Sequence, residues 1–375
     1  MFGLSLMIIK LLNHMKIFFL RHVIILIFLF LFINSFSQNT RLWATYYGGI
    51  SSDNANAITT DALGNVYLVG TTQSSTNVSF SGFQNIFGGG SDAFLVKFDA
   101  GGNRLWATYY GGTGLEQGIT VVTDVNGNVY LAGVTDSPTN ISFGGFQNTF
   151  AGGACDAFLV KFDAITGNRL WATYYGGIGA DYGYGLATDG SGNVYLAGHI
   201  DTPGINIASG GFQNTFGGGS ADAFLAKFDA VGARLWATYY GGLSDDKANS
   251  ITTDATGNVY LVGTTTSQTD IASGGFQNTF AGGVDAFIVK FNTSGMRLWS
   301  SYYGSIDNEW GYSIVTDAFS NVYIAGETTG FSNIASGGFQ NIFGGGATGT
   351  ADAFLVKFDA LGNRLWATLL WWGFG

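Results

Sequence analysis

DAFLVKFDAGGNRLWATYYGG, residues 92–112, followed by VVTDVNGNVYLAG, residues 121–133, is the stretch from which the rest of the chain can be read. It returns from Asp156, Asp222, Asp285 and Asp352. Its Trp recurs as Trp43, Trp106, Trp171, Trp236, Trp299 and Trp366, at spacings of 63, 65, 65, 63 and 67 residues. A fixed period of this length marks a repeat architecture, with one supersecondary unit per period. A length of 375 residues would alone suggest two or three domains. The repeats point instead to one domain assembled from units.

Within one period, ANAITTD (55–61) reads as a short strand, Ala62-Leu63-Gly64 as a turn and NVYLVG (65–70) as the returning strand. The D-x-x-G-N pattern suits a three-residue hairpin loop whose Gly takes the left-handed conformation that a side chain resists. A Ser-, Thr-, Asn- and Gly-rich loop follows. DAFLVKF (92–98) is then a third strand, Asp99 to Asn103 a second hairpin turn, and RLWATYY (104–110) a fourth strand. Four antiparallel strands that are apolar on both faces need cover on both sides, and neighbouring copies supply it. The expected fold is all-β: a β-propeller of four-stranded antiparallel blades, with five complete repeats and an extra N-terminal strand at Arg41–Tyr47.

Comparing the copies refines this. From each Trp to the Asn of the first hairpin the count is always 22, whereas from that Asn to the third-strand Asp it is 27, 28, 29, 27 and 31. Length therefore varies between strands two and three. The first strand keeps small residues at Ala55, Gly118, Gly183, Ala248 and Gly311, and again at Ala57, Thr120, Gly185, Ser250 and Ser313. Small side chains suit the crowded axis, so this strand is placed innermost. The short hairpins then share one face. The long loops and blade-to-blade connections share the other, where a propeller can vary and bind.

The T-Y-Y-G-G step, the D-x-x-G-N-V-Y-L-x-G hairpin, the G-F-Q-N-x-F segment and D-A-F-L-V-K-F together resemble the bacterial seven-bladed β-propeller repeat family, the SBBP repeat, over residues 40–370. The resemblance implies an exported or surface-attached propeller of a bacterial envelope and carries no active site with it. The chain shows five complete units rather than seven. Its sixth LWAT is followed by Leu369-Leu370-Trp371-Trp372 in place of Tyr-Tyr-Gly-Gly. One T inserted into ACT-TAT-TAT-GGT-GG yields Thr-Leu-Leu-Trp-Trp. The expectation is a reading frame shifted after Thr368, an aberrant tail at 371–375 and a chain that is a fragment of a larger propeller.

Residues 1–37 contain no acid. Lys16, Arg21 and His22 precede an apolar run from Val23 to Ile33, and Ser35-Phe36-Ser37 offers small residues at −3 and −1. This reads as a secretory signal peptide, with Met15 the natural start and residues 1–14 an upstream extension. An uncleaved signal anchor is the alternative. The propeller domain is then 38–370, with no membrane span after cleavage and a secreted or cell-surface location. Without residues 1–37 the chain has 12 basic and 25 acidic residues, a net charge near −13, which excludes nucleic acid as a partner. Cys155 is the only cysteine and His199 the only histidine after residue 37, so internal disulfides and zinc sites of several His or Cys are excluded.

Ten residues after each Trp stands an acid: Asp53, Glu116, Asp181, Asp246 and Glu309. In a closed ring they would surround one channel mouth and could bind Ca²⁺, which takes oxygen ligands, or a cationic ligand. The competing reading has each acid accept backbone N–H bonds and fix its own connection. Metal binding stays open, and no other cofactor is expected. Asp61 and its copies read as turn-forming residues, the Phe83-Gln84-Asn85 triplets as loop anchors, and Lys97 and its copies as cations lying along blade edges. Specificity is expected where copies disagree: Asn54, Gln117, Tyr182, Lys247 and Trp310, then Asn56, Ile119, Tyr184, Asn249 and Tyr312. Tyr182, Lys247 and Trp310, with the five acids, form the candidate binding set. His199 reads as surface variation, and no nucleophile motif accompanies it. The expected role is a non-catalytic binding or adhesion scaffold for a glycan or protein on the long-loop face. The alternatives are a carbohydrate-active enzyme using the channel acids and a structural spacer.

Overall fold

The computed structural model describes residues 41–204, 207–344 and 350–370. The signal-peptide and tail readings, at 1–37 and 371–375, lie outside the described residues. Each blade is a four-stranded antiparallel sheet in sequence order. Blade 1 comprises β1 (Asp53–Thr60), β2 (Val66–Thr72), β3 (Asp92–Phe98) and β4 (Arg104–Tyr110). Blade 2 comprises β5 (Glu116–Thr123), β6 (Val129–Thr135), β7 (Asp156–Phe162) and β8 (Arg169–Tyr175). Blade 3 comprises β9 (Asp181–Thr188), β10 (Val194–Ile200), β11 (Asp222–Phe228) and β12 (Arg234–Tyr240). Blade 4 comprises β13 (Asp246–Thr253), β14 (Val259–Thr265), β15 (Asp285–Phe291) and β16 (Arg297–Tyr303). Blade 5 comprises β17 (Glu309–Thr316), β18 (Val322–Thr328), β19 (Asp352–Phe358) and β20 (Arg364–Leu370). Residues 41–47, expected as a lone fourth strand, form no strand. A strand needs a ladder partner, and no third strand is paired with them among the described residues.

The first strands of successive blades are neighbours, β1 with β5, β5 with β9, β9 with β13 and β13 with β17, which places them innermost as expected. The reason is steric. A Cβ on Gly118 would stand 2.8 Å from both the Gly70 carbonyl oxygen and Val69 Cγ2 of the preceding blade. In each blade the pairing of first and second strands slips by one residue, as between Ala55 and Ala57. The bulged residues are Asn56, Ile119, Tyr184, Asn249 and Tyr312, the variable set of the sequence. A bulge re-aims its side chain.

The core lies between sheets. Blades 1 and 2 share Tyr67, Val69, Leu95, Trp106 and Tyr110 from one side and Leu131, Phe158 and Val160 from the other, and the arrangement repeats at the next three boundaries. The long loops do not simply decorate one face. Each descends along the outermost strand and pairs with it: Phe80 and Ala107 exchange N–H···O bonds at 2.8 and 2.7 Å, and Tyr109 N–H donates to Gln84 O at 3.0 Å. Arg104 reaches Asn77 O at the strand's far end. An outer β4 edge would otherwise present unpaired backbone groups, so the Gly-Phe-Gln-Asn segment serves as an edge cover. Gln84 completes it, with Oε1 accepting from Gly111 N–H and Nε2 donating to Asp92.

The terminal blades each leave one face uncovered among the described residues. Val121, Leu186, Ile251 and Ile314 are 4, 5, 6 and 3% exposed, while the equivalent Ile58 of blade 1 is 66% exposed. On blade 5, Ala325 and Ala353 are exposed and Leu370 is 50% exposed, where Val69, Ala93 and Tyr110 of blade 1 are fully buried. Burial against a neighbour therefore sets each residue's energetic weight. Leu186→Ala is expected to cost about 2–4 kcal/mol in chemical denaturation. Ile58→Ala, at the matching position, should cost under about 0.5 kcal/mol.

Candidate functional site

The acids that open the inner strands are each held from four residues back. Gly49 N–H donates to Asp53 Oδ2 at 2.8 Å, Gly112 to Glu116 Oε2 at 2.8 Å, Gly177 to Asp181 Oδ2 at 2.6 Å, Gly242 to Asp246 Oδ2 at 2.8 Å and Ser305 to Glu309 Oε2 at 2.5 Å. Hydroxyls add to this: Thr135 and Thr328 donate to Glu116 and Glu309 at 2.6 Å, and Ser74 and Ser267 to Asp53 and Asp246 at 2.9 and 2.8 Å. All are buried except the half-buried Asp53. They turn into their own connections instead of gathering at a channel mouth. Among the described residues no group of three or more His, Cys, Asp or Glu is placed to hold a metal ion.

Glu116, Asp181, Asp246 and Glu309 each have a buried companion across the blade boundary. Asp92 and Glu116 flank Gly111, where a Cβ would stand 2.6 Å from Asp92 Oδ1 and 2.4 Å from Glu116 Oε2. Asp222 and Asp246 flank Gly241, and Asp285 and Glu309 flank Gly304, in the same way. Only glycine lets the chain pass between the carboxyls. The Oδ1 atoms of Asp92, Asp156, Asp222 and Asp285 are buried without a hydrogen-bond partner among the described residues. Burial pushes these four carboxyls up to about 7, against the opposing pull of their loop N–H donors. Burial likewise lifts Asp181 to about 7 and Asp246 to about 6.

Such groups bind their protons more tightly folded than unfolded. Stability is then full below the unfolded carboxyl value and falls as pH rises through the folded one. The melting temperature is expected to drop between pH 5 and pH 8; a rise across that interval in a thermal scan would contradict the assignment.

The variable residues are dispersed differently. Tyr182 stacks on His199 at 4.6 Å and 27°, and lies parallel to Tyr184 at 5.8 Å and 15°. His199 is buried beneath these rings, 5% exposed, which corrects its reading as surface variation. Burial first and the charge of Lys247 second push it down to about 3, so it is neutral near pH 7. Burial first and the neighbouring Cys155 second push the Tyr182 hydroxyl up to about 12. Lys247 is half-buried on β13, near Asp245 and Asp201. Trp310 lies on β17 opposite Glu327, far along the array from Tyr182, and Tyr312 O–H donates to Glu327 at 2.6 Å. Tyr182, Lys247 and Trp310 thus belong to three successive inner strands.

A pocket of about 280 Å³ opens between blades 2 and 3, lined by Leu115, Gln117, Ile119, Val134, Asp136, Tyr182, Tyr184 and Cys155 with Ala154. Sequence reasoning missed Asp136 and Cys155, which come from the two ends of one long loop. Cys155 differs from its counterparts Ser91, Ala221, Val284 and Ala351, whereas Asp136 is matched by Asp201 of blade 3 and carried no such signal. Three larger grooves recur at the rim, of about 440, 670 and 370 Å³. Each is bounded by the Phe-Gln-Asn segment of one blade and the Arg of the next. Arg169, Arg234 and Arg297 stand 4.5, 4.1 and 4.3 Å over Phe83, Phe146 and Phe212.

The beta-propeller repeat family, SBBP, matches residues 42–90, 170–204 and 235–271. These three segments are SBBP-type beta-propeller repeats. Relatives of the chain include an uncharacterized WD repeat-containing protein of Acanthamoeba polyphaga mimivirus, 27% identical over 70% of this chain and 23% of that protein. The regulatory protein FlaEY of Caulobacter vibrioides is 28% identical over 57% of this chain and 22% of its own. The chain thus spans under a quarter of the length of these curated relatives. Among solved structures, a Dyadobacter fermentans protein of unknown function aligns over 87% of this chain and 85% of its own, with TM-score 0.43 and 10% identity. An ulvan lyase aligns over 84% and 69%, with TM-score 0.42 and 10% identity.

Proposed function

We propose that this chain is an exported, non-catalytic binding scaffold of a bacterial surface, holding an extended glycan or a protein along the long-loop side. The observation that carries the reading is the recurrence of one groove at three successive blade boundaries, each with a half-exposed Phe, a Gln-Asn pair and an Arg of the following blade. An aromatic face beside amide groups suits a sugar ring or a peptide. Repetition at a fixed spacing suits a polymer, whose second and third contacts become intramolecular once the first is made. Export rests on the basic-then-apolar pattern of residues 16–37. No helix among the described residues is long and apolar enough to cross a membrane.

A glycosidase reading would need a reachable pair of carboxyls. The acids paired at the four blade boundaries are buried, which speaks against substrate reaching them. Phe83→Ala, Phe146→Ala and Phe212→Ala are expected to weaken binding to an immobilised polysaccharide or protein ligand by a few-fold each, and together to abolish it. Turnover of any glycan that one acid substitution in one blade eliminates would replace this reading with an enzymatic one.

A further inference from the structure

The pocket between blades 2 and 3 differs from its counterparts for a physical reason. At the boundaries of blades 1 and 2 and of blades 4 and 5 the bulged residue is Asn. Asn56 Nδ2 donates to Gly118 O at 2.7 Å and Asn249 Nδ2 to Gly311 O at 2.8 Å, so each side chain spans to the next inner strand. In blade 2 the bulged residue is Ile119, which has no donor to reach across, and the boundary stays open. Tyr182 and Tyr184 of β9 form its far wall, stacked and supported by His199.

The lining is bipolar. Leu115, Ile119 and Val134 supply aliphatic surface. Asp136 accepts from Leu115 N–H through Oδ1 at 2.6 Å, and its other oxygen has no donor among the described residues. The Gln117 side chain is exposed and makes no hydrogen bond among the described residues. The two tyrosine rings offer π faces. Lys247, the cation of the following blade, is not among the lining residues and interacts with Asp201 and Asp245.

We propose that this pocket takes a primary ammonium group on an aliphatic stem, the lysine side chain of a partner protein. The stem would lie on Leu115, Ile119 and Val134. The ammonium would meet the Asp136 carboxylate, the Gln117 carbonyl and the tyrosine faces, which attract cations through the ring quadrupole. The long-range field favours such a ligand, since the whole chain carries a formal charge of −10. The site does not rest on the rim grooves, and its test is independent of them.

The test uses the purified full chain and saturation-transfer NMR with Nα-acetyl-lysine-N-methylamide, with the norleucine analogue and cadaverine as comparison probes. Cys155, half-buried in the lining and the sole cysteine, locates the ligand through its rate of thiol modification. The lysine analogue should bind and slow Cys155 modification, and the norleucine analogue should do neither. Asp136→Asn should weaken binding about tenfold and Tyr184→Leu about threefold, with circular dichroism unchanged. Absence of binding at tens of millimolar, equal binding of norleucine, or binding that neither protects Cys155 nor responds to Asp136→Asn would overturn the site. Cadaverine binding without binding of the lysine analogue would overturn the protein-partner assignment.

Discussion

One backbone carbonyl holds each pair of neighbouring blades together. Ala164 O, in the second hairpin turn of blade 2, accepts from Lys97 Nζ at 2.9 Å and from Trp106 Nε1 at 3.0 Å, both of blade 1. The same pairing joins Lys161 and Trp171 to Ala230 O, Lys227 and Trp236 to Thr293 O, and Lys290 and Trp299 to Ala360 O. The lysine, buried with its aliphatic stem, is neutralised within its own blade by Asp61, Asp124, Asp189 or Asp254. That Asp also fixes its hairpin, since Asp61 Oδ1 accepts from Leu63 and Asn65 N–H. The turn must approach the indole closely: a Cβ on Gly167, whose φ is +69°, would stand 2.8 Å from Trp106 Cδ2. Five separated repeat positions (Asp, Lys, the turn carbonyl, Gly and Trp) thus meet at one node, and changing any of them loosens a boundary rather than a blade. A buried lysine without its carboxylate and carbonyl would be strongly destabilising.

This explains which parts of the fold were legible in the sequence. Strand lengths, both hairpins and the innermost placement of the first strand follow from local pattern: short apolar runs, D-x-x-G-N turns and small residues at Gly118 and its equivalents. What was illegible depends on partners remote in sequence. Lys97 and its copies look like edge cations because the acceptor, Ala164, is 67 residues away. The Phe-Gln-Asn triplets read as loop anchors, but that the loop covers the β4 edge was illegible, because it pairs with β4 through isolated bridges, Phe80 with Ala107 and Gln84 with Tyr109, that leave no alternation to read. The inner acids share a spacing from Trp that allows either a ring or a fixed connection, and spacing alone does not choose; each accepts an N–H from four residues earlier, and Asp53, Glu116, Asp246 and Glu309 accept hydroxyls as well.

The same distinction separates architecture from recognition. Much of what recurs from copy to copy is used in the node, in the edge cover or in the buried carboxyl pairs, and the repeated acids belong to that set. What differs between copies collects at the bulge and beside it, because the bulge frees one side chain per blade from packing. Asn56 and Asn249 use that freedom to close their boundaries, and Ile119 does not. Tyr184 was legible as a variable residue, but its grouping with Asp136 and Cys155 depends on how the long loop of blade 2 returns to β7. Sequence spacing carries no trace of that.

The central claim is that blades are bound through the indole and lysine to the next blade's turn, and the most direct measurement compares two tryptophans. Trp106→Phe removes a donor that has a following blade. Trp366→Phe removes the equivalent donor where no following blade accepts it among the described residues. In equilibrium denaturation the account predicts a loss of about 1–2 kcal/mol for Trp106→Phe and less than about half of that for Trp366→Phe. Equal losses at the two positions would contradict it, because they would place the stabilisation within each sheet and not between neighbours.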